Sequence, residues 1–304
     1  VSLRLRANLL LLAVVVVWGS TFVLVKAALQ DISPTLFNLL RMALACTVLT
    51  AFYRPRFGDL TRRQWLGGAT VGICLAAGYQ FQTIGLRFTT PSKSAFITGS
   101  VVVLVPVFLG MAWLVRRRGT RPDLRTLMGA VLAFAGLALL TLPAESSALA
   151  SLHEVNPGDW LTLGCAAAFA LHILALGHAT RTTPYHSLAI LQTGFAALLL
   201  SSTLWVFDKP FLHWTPRLCF ALAVTSLLAT AAAFTIQTWA QTVLSPANTA
   251  LLLTLEPVFA WLTAFLFLRE NLTLRGWAGA SLVLAGILFT ELRFRPEVPP
   301  AGAA

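Results

Sequence analysis

Gly129-Ala130-Val131-Leu132-Ala133-Phe134-Ala135-Gly136 returns 150 residues later as Gly279-Ala280-Ser281-Leu282-Val283-Leu284-Ala285-Gly286. Two further matches keep the same order at nearly the same offset. Pro106-Val107-Phe108 pairs with Pro257-Val258-Phe259 at 151, and Tyr79-Gln80-Phe81-Gln82-Thr83 pairs with Phe234-Thr235-Ile236-Gln237-Thr238 at 155. One short match inside an apolar stretch is weak. Three in one order mark a duplicated chain.

The copies lie in strongly apolar sequence. Of 304 residues, 57% are hydrophobic and 11% charged, where a soluble domain carries about a quarter charged residues. The mean hydropathy is +0.79. Too few charges remain to build a water-facing surface, which excludes a soluble enzyme, a disulfide scaffold and a disordered tail protein. A bilayer core of roughly 30 Å takes about 20 apolar residues in a helix, and ten runs have that length. They are 8–29, 34–52, 65–84, 94–115, 124–142, 160–178, 188–207, 218–240, 247–268 and 274–292. The first run is too long for a signal-peptide core and lacks a clear cleavage site, so it reads as a retained helix.

The polar stretch 143–159 reads as a periplasmic linker between repeat 1 (1–142) and repeat 2 (160–292), and the Pro/Ala-rich 293–304 as a disordered cytoplasmic tail. Five helices is an odd number, so the second copy enters the membrane from the opposite face. The expected fold is all-α and integral to the membrane: ten transmembrane helices as two inverted five-helix repeats. Such symmetry is the architecture of secondary transporters with a midplane site.

The net charge of +11 does not point to nucleic acid, because the basic residues sit in short clusters between apolar runs. With the N-terminus inside, 14 of them flank the cytoplasmic ends and 7 the outer ends, so both termini are expected in the cytoplasm. Cys46, Cys74, Cys165 and Cys219 lie within apolar runs, far from any metal-site spacing, and no cofactor is expected. The partners expected are the bilayer and a small-molecule substrate.

Trp18-Gly19-Ser20-Thr21-Phe22 with Lys26, Arg41, Glu256-Pro257-Val258-Phe259 followed by Glu270, and the Gly-Ala-x-Leu-x-x-x-Gly pair resemble the EamA-type members of the drug/metabolite transporter superfamily, and among them the YddG-type amino-acid exporters. The resemblance covers about residues 8–292 and implies ten helices, inverted repeats and export of small metabolites. Two departures stand out: Val105 occupies the repeat-1 position of Glu256, and span six has Ala168-Phe169 where span one has Trp-Gly.

Polar groups inside hydrocarbon are costly, so each is a functional candidate that needs a partner. Glu256 can bind a substrate amine or carry a proton, or be a buried carboxyl tied to a neighbouring helix. Arg41 can hold a carboxylate bidentately, or snorkel or pair with Asp31. Lys26 has the same two readings. His172 can carry a proton or simply be hydrogen-bonded in the packing. Tyr79 and Gln82, and their matches Phe234 and Gln237, lie three apart on one helix face. With Trp239, and with Trp18 and Phe22 four apart on span one, they form an aromatic–amide set suited to a neutral or zwitterionic metabolite, or the Gln pairs glue helices together. Pro106 and Pro257 are expected to kink spans four and nine as hinges. Gly129/Gly136, Gly279/Gly286 and Gly68/Gly72 are expected to permit close helix contact. Trp65, Trp113, Trp160, Trp205 and Trp277 fall near span ends, as interface anchors do.

The function expected is secondary-active export of small metabolites across the inner membrane, amino acids with aromatic ones included, by alternating access. The alternatives are a nucleotide-sugar or drug carrier of the same fold, a channel, and an integral-membrane enzyme. The last would need a clustered nucleophile or metal set that His153-Glu154 and Asn156-Pro157-Gly158-Asp159 do not supply.

Overall fold

Four polar–proline pairs, Ser33-Pro34, Thr90-Pro91, Asn156-Pro157 and Thr215-Pro216, each open a helix in the computed structural model. Proline suits the first turn, where its missing N–H has no intrahelical partner to lose. In three of the four, the preceding side chain also caps the helix, accepting from the N–H of Lys93, Gly158 or Leu218. The structure describes residues 2–55, 57–116, 156–207, 209–244 and 255–291, with 128, 129, 131, 132, 135, 136, 139, 249, 252 and 253.

The helices are α1 (Leu3–Ala28), α2 (Pro34–Tyr53), α3 (Arg62–Gly85), α4 (Pro91–Gly99), α5 (Val101–Arg116), α6 (Pro157–Ala179), α7 (Tyr185–Ser202), α8 (Pro216–Val243), α9 (Glu256–Leu268) and α10 (Leu274–Glu291). The α4–α5 pair makes up span four. Most of span five, nearly all of the linker and the tail lie outside the described residues. Within α8, Val224–Ala232 is wound as a π-helix.

Loop contacts sort the helix ends into two faces. The end of α1 meets the start of α8: Ile32 bridges Leu212, the Ser33 N–H donates to Phe211 O at 3.1 Å, and the His213 N–H to Asp31 O at 2.7 Å. The end of α3 meets the start of α6, where the Thr89 hydroxyl donates to Asp159 Oδ1 at 2.8 Å and Lys93 pairs with Asp159 at 2.5 Å. On the opposite face Gln64, at the start of α3, donates to Thr182 O at 2.7 Å, and Tyr53, at the end of α2, stacks on His186 at the start of α7. Thus α3 ends where its counterpart α8 begins, on the first face, and α1 runs towards that face while α6 runs away from it. The two halves are inverted.

Helix pairing crosses between the halves. α3 packs along α6 and α7, α2 along α7, and α1 along α9. Glycines permit the closest crossings: a Cβ on Gly72 would come within 2.6 Å of Phe195 Cβ, and one on Gly136 within 2.5 Å of Gly279 O. Leu198, Leu266 and Phe267 point outward as a lipid-facing surface does, and Trp65, Trp160, Trp205 and Trp277 are exposed near helix ends. The Trp113 side chain lies outside the described residues.

The two hinge prolines take different places in their spans. Span four breaks at Ser100, whose hydroxyl bonds back to Ile97 O at 2.7 Å, and Pro106 sits six residues further on, inside α5. Pro257 is in the first turn of α9. There a missing N–H disrupts nothing, so it helps to start a helix and does not bend one.

The first-face clasp also carries a titratable group. Arg217 Nε and an Nη each donate to Asp31 at 2.9 Å, and the Thr215 hydroxyl adds a third bond. The Arg217 and Thr215 hydrogen bonds hold the Asp31 carboxyl below its ordinary value of 3.8. A depressed folded pKa adds stability above the ordinary value, and that stability is lost as pH falls through the lower folded one. Thermal unfolding followed from about pH 5 to about pH 2 should therefore show an acid limb that Asp31→Asn flattens. An unchanged limb in the variant would place the acid sensitivity elsewhere.

Candidate functional site

Aromatic side chains from both halves meet at the middle of the bundle. Trp18 of α1 packs on Phe234 of α8 with ring centroids 5.3 Å apart, Phe234 on Tyr79 of α3 at 6.0 Å, and Tyr79 on Phe169 of α6 at 5.3 Å. Tyr79 and Phe234 are repeat equivalents, and the rings pair Trp18 with Phe169 at an offset of 151, one residue on from the alignment of Trp18 with Ala168. The chain of rings therefore carries the pseudo-twofold of the fold, with its axis between Tyr79 and Phe234.

These rings border a cavity walled by residues of both halves. α1 contributes Trp18, Thr21, Phe22 and Val25; α2 contributes Arg41; α3 contributes Tyr79, Gln82 and Leu86. Thr98, Gly99 and Val101 come from the break between α4 and α5, and Phe169, His172 and Ile173 from α6. Phe234 and Gln237 of α8, with Leu253 and Glu256 at the start of span nine, complete the wall.

Arg41 is 3% exposed and fully engaged on one side. Its Nε donates to Thr230 Oγ1 at 2.6 Å and an Nη to the Tyr79 hydroxyl at 2.9 Å and Ala229 O at 3.2 Å, while the guanidinium lies 4.1 Å from the Tyr79 ring centroid. Ala229 and Thr230 belong to the π-wound stretch, a form that recurs at functional sites. The Trp18 indole also donates to Ala229 O, at 2.8 Å. Arg41 thus neither snorkels nor pairs with Asp31, which is taken by Arg217. Its charge has no ion-pair partner among the described residues.

Glu256 stands in the first turn of α9, where the helix N-terminus favours an anion. Its carboxylate faces the cavity without a hydrogen bond or ion pair to another described residue. His172 is 1% exposed and bonded through Nε2 to Gln192 Oε1 at 2.8 Å, and Gln192 donates on to Thr238 at 3.1 Å.

Two expected site residues are placed elsewhere. Trp239 packs with Ala7, Leu11 and Leu252 under Arg6, 5.9 Å from the guanidinium. It follows Gln237 by two residues, about 200° around the helix, so both cannot face one cavity. Lys26 donates to Leu86 O and Thr89 O, satisfying carbonyls at the end of α3. Thr21, Thr98, Phe169 and Ile173 were not singled out from sequence. The 151 offset could have found three of them, since it pairs Trp18 with Phe169, Thr21 with His172 and Phe22 with Ile173.

Comparison with known proteins agrees with this architecture. The profile of the EamA-like transporter family matches residues 5–142 and 156–292, one match per repeat. An uncharacterized transporter of Archaeoglobus fulgidus is 35% identical over 291 residues, covering 95% of this chain and 87% of its own. The uncharacterized transporter YwfM of Bacillus subtilis is 28% identical, covering 89% and 88%. One solved crystal structure superposes with a TM-score of 0.64 at 19% identity over 94% of this chain and 96% of its own, a likeness of fold.

Proposed function

We propose that this chain, which belongs to the EamA-like transporter family, exports zwitterionic small metabolites, amino acids with aromatic side chains among them, by alternating access around the central cavity. One observation carries the reading. A buried cation, Arg41, and a half-buried acid, Glu256, line the same cavity, and neither has a counter-ion among the described residues.

Uncompensated charges in a membrane interior are expensive. A zwitterion supplies both missing partners at once, its carboxylate to the guanidinium and its ammonium to Glu256. The rings of Trp18, Tyr79, Phe169 and Phe234 offer an apolar wall for the side chain. Gln82 and Gln237 add hydrogen bonds without charge. The basic-residue asymmetry supports placing the second face, which holds the starts of α1, α3 and α7, in the cytoplasm of an inner membrane.

The test is flux in liposomes carrying the purified protein, across a panel of amino acids, with and without a pH gradient. Aromatic amino acids are expected to move, and the gradient arm reads out proton coupling. If no amino acid moves while nucleotide-sugars or cations do, the substrate reading is wrong.

A further inference from the structure

The cavity is lopsided, and the repeat symmetry says how. Its centre uses matched pairs from the two halves: Trp18 with Phe169, Thr21 with His172, Tyr79 with Phe234, Gln82 with Gln237. Towards the first face the wall continues along α1 and α3 to Val25 and Leu86. Their equivalents, Leu176 at offset 151 and Gln241 at offset 155, are buried and outside the wall. Among the described residues the wall therefore reaches towards the first face and stops short of the second.

Inverted repeats exchange roles when a carrier turns over, so residues of one half take the positions of their partners. Where the wall now runs Tyr79, Gln82, Leu86, the other state should run Phe234, Gln237, Gln241. Where Thr98 now lines the cavity, Thr249 should.

An independent observation meets this expectation. Gln237 Oε1, both amide atoms of Gln241 and Thr249 Oγ1 are buried with no hydrogen-bond partner among the described residues. Unpaired buried polar groups are costly, and they persist where another state or a ligand satisfies them. All three residues are repeat equivalents of wall residues. Thr238, on a neighbouring face of the same helix, is satisfied by Gln192.

We propose that Gln237, Gln241 and Thr249 form a polar subsite at the second-face mouth of the cavity, which opens in the opposite conformation and hydrogen-bonds the polar head group of the entering substrate. The head-group assignment rests on the amino-acid reading above; the opening of the mouth does not.

The test has two arms, each run on protein that transports. In the first, Gln241→Cys is made in a chain whose four native cysteines are serine, and a charged maleimide is added from the second-face side. Labelling is expected, slowed by a saturating transported amino acid. No labelling from that side overturns the subsite, and labelling that transported substrate leaves unslowed overturns its binding role.

In the second arm, Gln241→Leu removes the unpaired amide. It is expected to raise the unfolding temperature and yet to lower flux about tenfold, the loss of one good hydrogen bond. Unchanged flux overturns the proposal. Should amino acids fail in the wild-type panel while another solute moves, labelling slowed by that solute would sink the amino-acid reading and leave the subsite standing.

Discussion

Arg41→Met is expected to cut kcat/KM for zwitterionic amino acids by about 100-fold, within the range for losing a charge-assisted hydrogen bond in a dry site. The matching decarboxylated amine, which never engages the guanidinium, should change by less than about threefold. Glu256→Gln should do the reverse, sparing a substrate that has a carboxylate and no amine. Arg41→Lys should fall between, because the ammonium keeps the charge and loses the planar fork. Arg41 also ties α2 to Tyr79 and to the π-wound part of α8, so its removal will lower stability as well. Flux is therefore normalised to folded protein, and the ratio of zwitterion to amine is the deciding quantity. If both fall equally in Arg41→Met, the arginine is a strut of the bundle and binds no carboxylate.

Gly19→Val is the second large effect. A Cβ at this position would stand 2.7 Å from Phe259 Cβ, 2.8 Å from Glu256 O and 2.9 Å from Ala260 N. Two of these three atoms are backbone, so no rotamer change relieves the clash and α1 must move off α9. Overpacking of this kind costs about 3 kcal/mol. The unfolding temperature in detergent should drop by several degrees, and flux should be lost because the displaced backbone carries Glu256. Gly19→Ala should already destabilise. The repeat-2 counterpart, Ala170, is buried and carries a Cβ natively, so Ala170→Val should cost less than Gly19→Val. Equal losses at the two positions would mean that the α1–α9 crossing is no tighter than the rest.

Much of this architecture was readable from residue order. The spacing of apolar runs gave the helices, the three offsets gave the duplication, and the odd helix count gave the inversion. The aromatic–amide faces of α3 and α8 were readable because a three-residue spacing fixes a helix face. Other features left no such trace. Trp239 was grouped by chemistry although its angular position excluded it. The break in span four falls at Ser100, six residues before Pro106, where the serine hydroxyl bonding back to Ile97 is a local competition that composition does not reveal. The π-wound segment Val224–Ala232 is made of ordinary small and aliphatic residues, and its role in offering Ala229 O to Trp18 and Arg41 depends on a register only three dimensions display. Pairing with Asp31 was one of the readings open for Arg41, while the actual partner of Asp31, Arg217, lies 186 residues away.

The pairing of helices across the two halves has a consequence for how such a chain could arise. α1 lies against α9, and α3 against α6 and α7, so the broadest contact faces of each half are those turned to the other. A free-standing half would leave them bare to lipid. A primordial gene encoding one copy would have needed to insert its product in both orientations and assemble antiparallel pairs. Fusion then made the stoichiometry permanent and let the two orientations diverge, which is how one half could keep a valine where the other acquired the acid.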